Sequence, residues 1–579
     1  MNANRQISPI NSLALLLLFL VATLLWFGTL DYRHLIPSDE GRYAMMAREM
    51  MVSSDFITPR YNDYKYFEKP PLHIWITAIV FQVFGLGEWQ ARFWSGITSY
   101  FTILLVGFTA FRLYGSLAGY LAALILLASP MWVVGGHFNA LDMGLSAFLN
   151  LALCSLLLAQ HAFTQNHLRA TRNWMWVCWL AMGLATLSKG LIGIVIPGVV
   201  LFAYMITRWD WRILTRLHIV SGLIIFLAVT APWFIAVSMQ NPEFAHFFFI
   251  HEHFERFTAD AHRRTAPFYF FLPLVIVGFL PWMPQFFQSA WQSLKQYRLG
   301  QFSASWMLWA WFVIILLFFS VSRSKLPGYI MPVFPALAIL AAKTIMDHLE
   351  THPNLANGWR VQTFFFVILA AVGFFFLSEV GRNGQPDEVQ AYQAYTVWIT
   401  VALACLFSFS LCAALLAKRN FLLSISLFAF GFFLTATIAG TGHETLGRAV
   451  SGYDLAQKVK GQIPSDAKIY SVRLLDHTLP FYLQRNTIMV EFTDELTFGS
   501  KQEPQKWVPT LNEFLAIWKQ DPNAIAVMVP AQFEELKQIN LPMEELGRDS
   551  RRVIVRHPSP ALRQYTDDPT VHSFYKAHN

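Results

Sequence analysis

INSLALLLLFLVATLLWFGTLDYRHLIPSDEGRY, residues 10–43, runs without a charge from Ile10 to Leu30 and then turns abruptly polar. An apolar run of about 20 residues is what an α-helix needs to cross the hydrocarbon core of a bilayer. This run follows Arg5, is too long for the core of a secretion signal and lacks a small-residue cleavage site, so it reads as a retained first span. The polar cluster behind it, Ser38-Asp39-Glu40-Gly41-Arg42-Tyr43, is echoed by Tyr66-Phe67-Glu68-Lys69-Pro70-Pro71 before the next apolar run. Charges held beside a membrane are costly unless paired, wetted or used, so chemistry is sought here first; a solvated loop is the plainer alternative.

Over 579 residues the chain is 55% hydrophobic, 16% aromatic and only 14% charged, which excludes a single soluble core and defines an α-helical polytopic membrane protein. Lys and Arg number 43 against 36 Asp and Glu, but the basic residues sit in short loops such as Arg208 to Arg216 and Lys418-Arg419. That pattern sets topology and is not a nucleic-acid footprint. Cys154, Cys178, Cys405 and Cys412 lie inside apolar stretches and read as small core residues.

Leu72 to Phe84 is too short to cross, and the basic loops fall on the cytoplasmic side only if it does not. It is therefore expected as an interfacial helix started by Pro70 and Pro71. Further spans are expected near 92–112, 117–135, 142–162, 174–188, 190–207, 214–237, 268–287, 304–321, 330–348, 361–379, 396–417 and 420–439, which makes about thirteen with the first. The odd number puts the C-terminus outside. Past Thr441 shorter runs read as strands, at Ala467 to Val472, Thr487 to Phe492, Ala524 to Val529 and Arg552 to Arg556. Helices are expected at Leu446 to Lys460 and Trp507 to Lys519. The division is thus 1–440, a membrane domain with an outer loop over 31–91, and 441–579, a small α/β domain.

The outer loops also hold Asn139-Ala140-Leu141-Asp142, the stretch Glu252-His253-Phe254-Glu255-Arg256-Phe257, and Arg323-Ser324-Lys325-Leu326-Pro327-Gly328-Tyr329. There is no phosphate-binding Walker loop, and Gly85-Leu86-Gly87 lacks the third glycine of a dinucleotide fingerprint, so no nucleotide cofactor is indicated. A carboxylate, several cations and many aromatics at an outer membrane surface suit glycosyl transfer from a lipid-phosphate sugar. An inverting displacement needs one carboxylate to orient or deprotonate the acceptor and cations to neutralise the departing phosphate. Asp39 can supply the first, and Lys69, Arg323 and Lys325 the second.

On Ser38 to Tyr43, Tyr66 to Pro71, Glu252 to Phe257 and Lys325 to Tyr329, with His477-Thr478-Leu479-Pro480-Phe481-Tyr482-Leu483-Gln484-Arg485 in the C-terminal part, the chain resembles the bacterial lipid A aminoarabinose transferases of the protein O-mannosyltransferase-like GT-C superfamily. The resemblance implies a multi-pass enzyme of the bacterial inner membrane with its active site and C-terminal domain periplasmic. It implies a donor of 4-amino-4-deoxy-L-arabinose on undecaprenyl phosphate, an acceptor phosphate on lipid A, and membrane lipids as the other partners, with no nucleic acid. Asp39 matches the family's catalytic aspartate and Asp142 a second important acid. Tyr43, Tyr66, Lys69 and Tyr329 match residues around the carrier phosphate, and Glu68 and His253 a pair that holds Zn2+.

Duller roles compete with each assignment. Asp39 and Asp142 could be helix caps. Two ligands fall short of the four of a closed zinc site. His251 and His253 would share one face of a strand, while a solvated loop suits His251. Lys189 reads first as a snorkelling cation, and the tyrosines as members of an aromatic belt. Arg256, Arg263, Arg264 and Arg323 are candidates for a basic rim facing lipid A. The rival functions are a related transferase moving another lipid-linked sugar to lipopolysaccharide core or protein, and a transporter of such lipids.

Overall fold

A computed structural model of the chain describes residues 9–255, 266–295, 299–351, 355–382 and 386–558. The fold divides into two compact units, one of Met1–Arg33 with Phe67–Thr445, the other of His34–Tyr66 with Leu446–Asn579. The expected boundary at 440/441 left 34–66 with the membrane part; the structure instead groups that segment with the C-terminal domain.

The first unit is helical. Among the described residues eight helices are long and apolar enough to cross a bilayer, or up to ten if each of two bent pairs counts once; Leu13–Gly28, Leu72–Phe84 and Ile192–Arg208 are shorter apolar helices. The expected 117–135 span is broken into Ser116–Leu127 and Pro130–Gly136, which meet at 69°, and 268–287 into Phe271–Gly278 and Leu280–Lys295, at 74°. Pro130 and Pro281 stand in the first turn after each break. A proline ring cannot donate to the preceding turn and clashes with it, so the helix stops and restarts in a new direction. Leu72–Phe84 is the expected helix, with Pro71 at its N-cap and Leu72, His73, Ile74, Thr77, Ala78, Val80 and Phe81 buried.

Leu141–Thr164 and Pro327–Leu349 are the most enclosed of these helices: 83% of the most apolar stretch of each is buried, against 17% for Ile219–Gln240, and Leu141–Thr164 carries Asp142. It packs against Glu88–Tyr114 and Leu168–Lys189. Two of the fully buried indoles bond their N–H groups to backbone, Trp26 to the Gly96 carbonyl at 3.0 Å and Trp311 to the Pro332 carbonyl at 2.8 Å.

The second unit is built on a five-stranded sheet in the order Ile488–Val490, Ile469–Val472, Ile525–Met528, Val553–Arg556, Glu544–Arg548. The first three are mutually parallel; Val553–Arg556 is antiparallel to both of its neighbours. Four of these strands lie in the expected stretches, and the edge strand Glu544–Arg548 is additional. The expected helix over Leu446–Lys460 is two, Glu444–Val450 and Tyr453–Val459. Between them Gly452 donates its N–H to Thr478 Oγ1 at 2.8 Å, and a Cβ there would press on the Leu479 backbone. The other expected helix starts later, at Leu511, because Thr510 caps it through Glu513 N–H at 3.2 Å.

The 34–66 segment is stitched into this domain by backbone and side-chain bonds. Its hairpin, Arg60–Tyr61 with Tyr64–Lys65, turns on Asn62 and Asp63 at φ 52° and 66°. A two-residue turn with both φ positive follows the strand twist, and Asn and Asp tolerate it. The Asn62 amide then donates to the Thr487 carbonyl and accepts from Thr487 N–H, both at 2.7 Å. Leu35 N–H donates to Tyr482 Oη at 2.7 Å. Gly41 lies so close to the His477 carbonyl that any Cβ would collide with it.

Candidate active site

In the second unit Asp39 opens the helix Asp39–Ser53, where exposed backbone N–H groups favour a negative charge. One turn on, Arg42 reaches Asp39 Oδ1 at 3.7 Å and Glu495 Oε1 at 2.7 Å, and donates to Tyr66 Oη at 3.3 Å. The arginine side chain is only 5% exposed and Asp39 21%, so the guanidinium is the anchor and the carboxylate the group presented. The Arg42 guanidinium also lies 5.9 Å from the Tyr43 ring centre. Tyr61 meets Tyr66 edge-on at 5.8 Å and pairs its hydroxyl with His477 Nδ1 at 2.7 Å. The two polar patches of the sequence thereby converge on Arg42, whose partner Glu495 lies 453 residues away in the chain.

In the membrane unit Asp142, in the first turn of Leu141–Thr164, forms an ion pair with Lys189 at the end of Leu168–Lys189. Neither the capping role of Asp142 nor the snorkelling of Lys189 survives this: the Lys189 side chain is 14% exposed and its ammonium lies 4.2 Å from the Tyr329 ring centre. Gly328, beside Tyr329, packs on the Asp142 carboxylate where a Cβ would not fit. Buried Lys325 donates to the Ser322 carbonyl at 2.5 Å, and Arg323 is exposed. Lys69 donates to the Glu68 carbonyl at 2.8 Å, and His73 Nε2 pairs with Asn139 Oδ1 at 2.9 Å. Asp142, Lys189 and Tyr329 are thus brought together, while Lys325 is turned to its own loop.

His246–Glu255 is helical, which removes the strand expected to align His251 and His253; the His251 ring stacks on Phe247 at 5.0 Å. The side chain of His253 and the whole of Arg256, with Arg263 and Arg264, lie outside the described residues. Among the described residues no three His, Cys, Asp or Glu side chains assemble a metal site. Sequence reasoning missed Glu495, which nothing near it singles out, and noted Lys189 in Ser188-Lys189-Gly190 as a snorkelling cation or one that attracts phosphate, without its partner Asp142.

Two family models match the chain, the aminoarabinose transferase C-terminal domain over residues 455–557 and dolichyl-phosphate-mannose-protein mannosyltransferase over 68–235. The fold is that of a GT-C membrane glycosyltransferase that uses polyprenyl-phosphate sugars. Undecaprenyl phosphate-alpha-4-amino-4-deoxy-L-arabinose arabinosyl transferases from Enterobacter sp. (strain 638) and Erwinia tasmaniensis are 31% and 32% identical, over 67% and 68% of this chain and 70% and 71% of their own. The crystal structure of ArnT from Cupriavidus metallidurans bound to undecaprenyl phosphate superposes with a TM-score of 0.88 at 42% identity, covering 94% of this chain and 98% of that one. The chain belongs to this arabinosyltransferase family.

Proposed function

We propose that the protein transfers 4-amino-4-deoxy-L-arabinose from undecaprenyl phosphate to a lipid A phosphate at the periplasmic face of a bacterial inner membrane. The observation that carries this is the likeness, over 94% of the chain, to a transferase solved with undecaprenyl phosphate bound. A lipid A phosphate oxygen attacks the anomeric carbon; the bond from that carbon to the carrier phosphate breaks, and undecaprenyl phosphate leaves with the electron pair. Asp39, the more exposed partner of Arg42, orients the acceptor and takes the proton of a singly protonated phosphate. Arg42 holds Asp39 in place. Lys69, Arg323 and Lys325 neutralise phosphate charge, joined by Arg256, and the hydroxyls of Tyr43, Tyr66 and Tyr329 donate to phosphate oxygens. Asp142 positions the Lys189 ammonium over Tyr329.

Glu68 and His253 are proposed as ligands of a zinc ion, on the resemblance alone. Bound there, zinc would add positive charge that favours phosphate. Elemental analysis of purified protein should show zinc that falls away in Glu68→Ala; zinc-free protein would retire the site.

The test is the lipid A mass spectrum of a host that makes the aminoarabinose donor but lacks its own transferase. The intact chain should add one aminopentose. Asp39→Asn should cut turnover by roughly 10²–10⁴-fold, the range for losing an acid–base group, without loss of membrane insertion. Unmodified lipid A despite verified expression would sink the reading of sugar and acceptor.

A further inference from the structure

A cleft of about 450 Å³ opens on the second unit, and none of the residues lining it has been assigned a role above. Its walls are the hairpin tip Asn62-Asp63, Asn486 on the loop before the edge strand, and Gln505-Lys506-Trp507. Amides, two carboxylates and an ammonium here share the lining with the half-buried Trp507 indole and with Tyr64, Tyr470, Ile488, Val508 and Ile517. That combination has a specific chemistry. Sugar hydroxyls need donors and acceptors side by side, and the C–H face of a pyranose packs on an aromatic plane.

The lining argues against an anionic ligand. The Lys506 ammonium is already held by Asp63 at 2.9 Å and Glu503 at 3.1 Å, so the cleft has little attraction for an anion. The walls are also rigid, which lowers the entropy lost on binding. Buried Glu49 accepts the N–H groups of both Asn62 and Asp63, at 2.6 and 2.8 Å, and the Tyr64 hydroxyl donates to the Lys506 carbonyl at 2.6 Å. Trp507 is fixed from its other side, because Val508 adds to the sheet edge through bonds of 2.8 Å to Met489 and Glu491.

We propose that this cleft is a saccharide subsite that takes a neutral sugar of the acceptor glycolipid, beyond the sugar whose phosphate is modified. The proposal rests on the reading of the acceptor given above. It is tested on the full chain in nanodiscs with two acceptors, lipid A alone and lipid A carrying its core oligosaccharide. Trp507→Ala should raise KM for the core-bearing acceptor roughly tenfold, the effect of losing one central aromatic contact, with kcat unchanged and KM for bare lipid A unmoved. Gln505→Ala, an exposed change that spares folding, should act in the same direction and more weakly. An equal shift on both acceptors, or none on either, would overturn the subsite. If neither acceptor is modified at all, the transferase reading has failed instead. Saturation-transfer NMR with free core oligosaccharide then judges the cleft alone: signal with the intact chain, lost in Trp507→Ala, supports it, and no signal with the intact chain overturns it.

Discussion

Glu49 and Asp476 are carboxylates of the same second unit, and each accepts two backbone N–H groups. Asn62 and Asp63 donate to Glu49 at 2.6 and 2.8 Å; Thr478 and Leu479 donate to Asp476 at 2.9 and 2.7 Å. Their proton affinities nevertheless move in opposite directions. Burial pushes Glu49 up to about 7, against the pull of its two N–H bonds and of Arg48, with the Asp63 charge adding to the rise. Burial also raises Asp476, but the Arg552 guanidinium beside it reverses the balance and holds it below the usual carboxylate range. Two N–H bonds therefore do not offset desolvation of a carboxylate here, and an adjoining arginine does.

The strongest way to break the comparison is to remove that arginine. Arg552 is 3% exposed; besides Asp476 it binds Asp549 at 2.8 Å and donates to the Val450 and Ser451 carbonyls at 2.6 and 3.1 Å. Arg552→Leu strands a buried carboxylate and should cost about 3–5 kcal/mol of stability at neutral pH. Asp476 should then titrate upward, as Glu49 does. Thermal unfolding against pH checks both points, and an unchanged melting temperature would mean that the N–H bonds suffice after all.

Next in size is Glu49→Gln. A carboxyl raised from an ordinary 4.5 to about 7 binds protons more tightly folded than unfolded. Its contribution to stability is therefore complete below pH 4.5 and is lost as pH rises through 7, a cost of roughly 3 kcal/mol in alkaline solution. The glutamine variant should lack that slope between pH 5 and 7. Asp476 has the opposite sign: its contribution is present above pH 3.8, its ordinary value, and fades only as pH falls below it. A wild-type curve flat from pH 5 to 8 would contradict the Glu49 assignment.

How far each element was legible follows the same physics. Ile469–Val472 and Ile525–Met528 are buried along their whole length, so their apolar runs announced them. Glu544–Arg548 is an edge strand with a register shift between Glu545 and Gly547, and its charged sequence carries no such run. The breaks at Pro130 and Pro281 were written in the chain, yet hydropathy averages across a bend. Asp39, Asp142 and Tyr329 stood out because polar groups beside apolar spans are rare. Their pairings did not: Glu495 reaches Arg42 across 453 residues, and Lys189, itself noted in the sequence, reaches Asp142 across 47, through tertiary packing that no local pattern encodes.

The membrane unit offers the smaller and sharper form of the comparison, since Asp142 has a lysine where Asp476 has an arginine. A lysine ammonium is a point charge on a flexible stem, unlike the fixed fork of a guanidinium, so it can hold one carboxylate and still turn a proton toward a phosphate. If Asp142 serves chiefly to aim Lys189, removing either should weaken turnover by a similar factor, and removing both should do little more. The coupling expected for such a contacting pair is about 1–3 kcal/mol. A cycle of Asp142→Asn, Lys189→Met and the double variant, read as kcat and donor KM, measures it. Strictly additive losses would show that the two groups act separately, Asp142 on its own account and Lys189 as one more cation near the carrier.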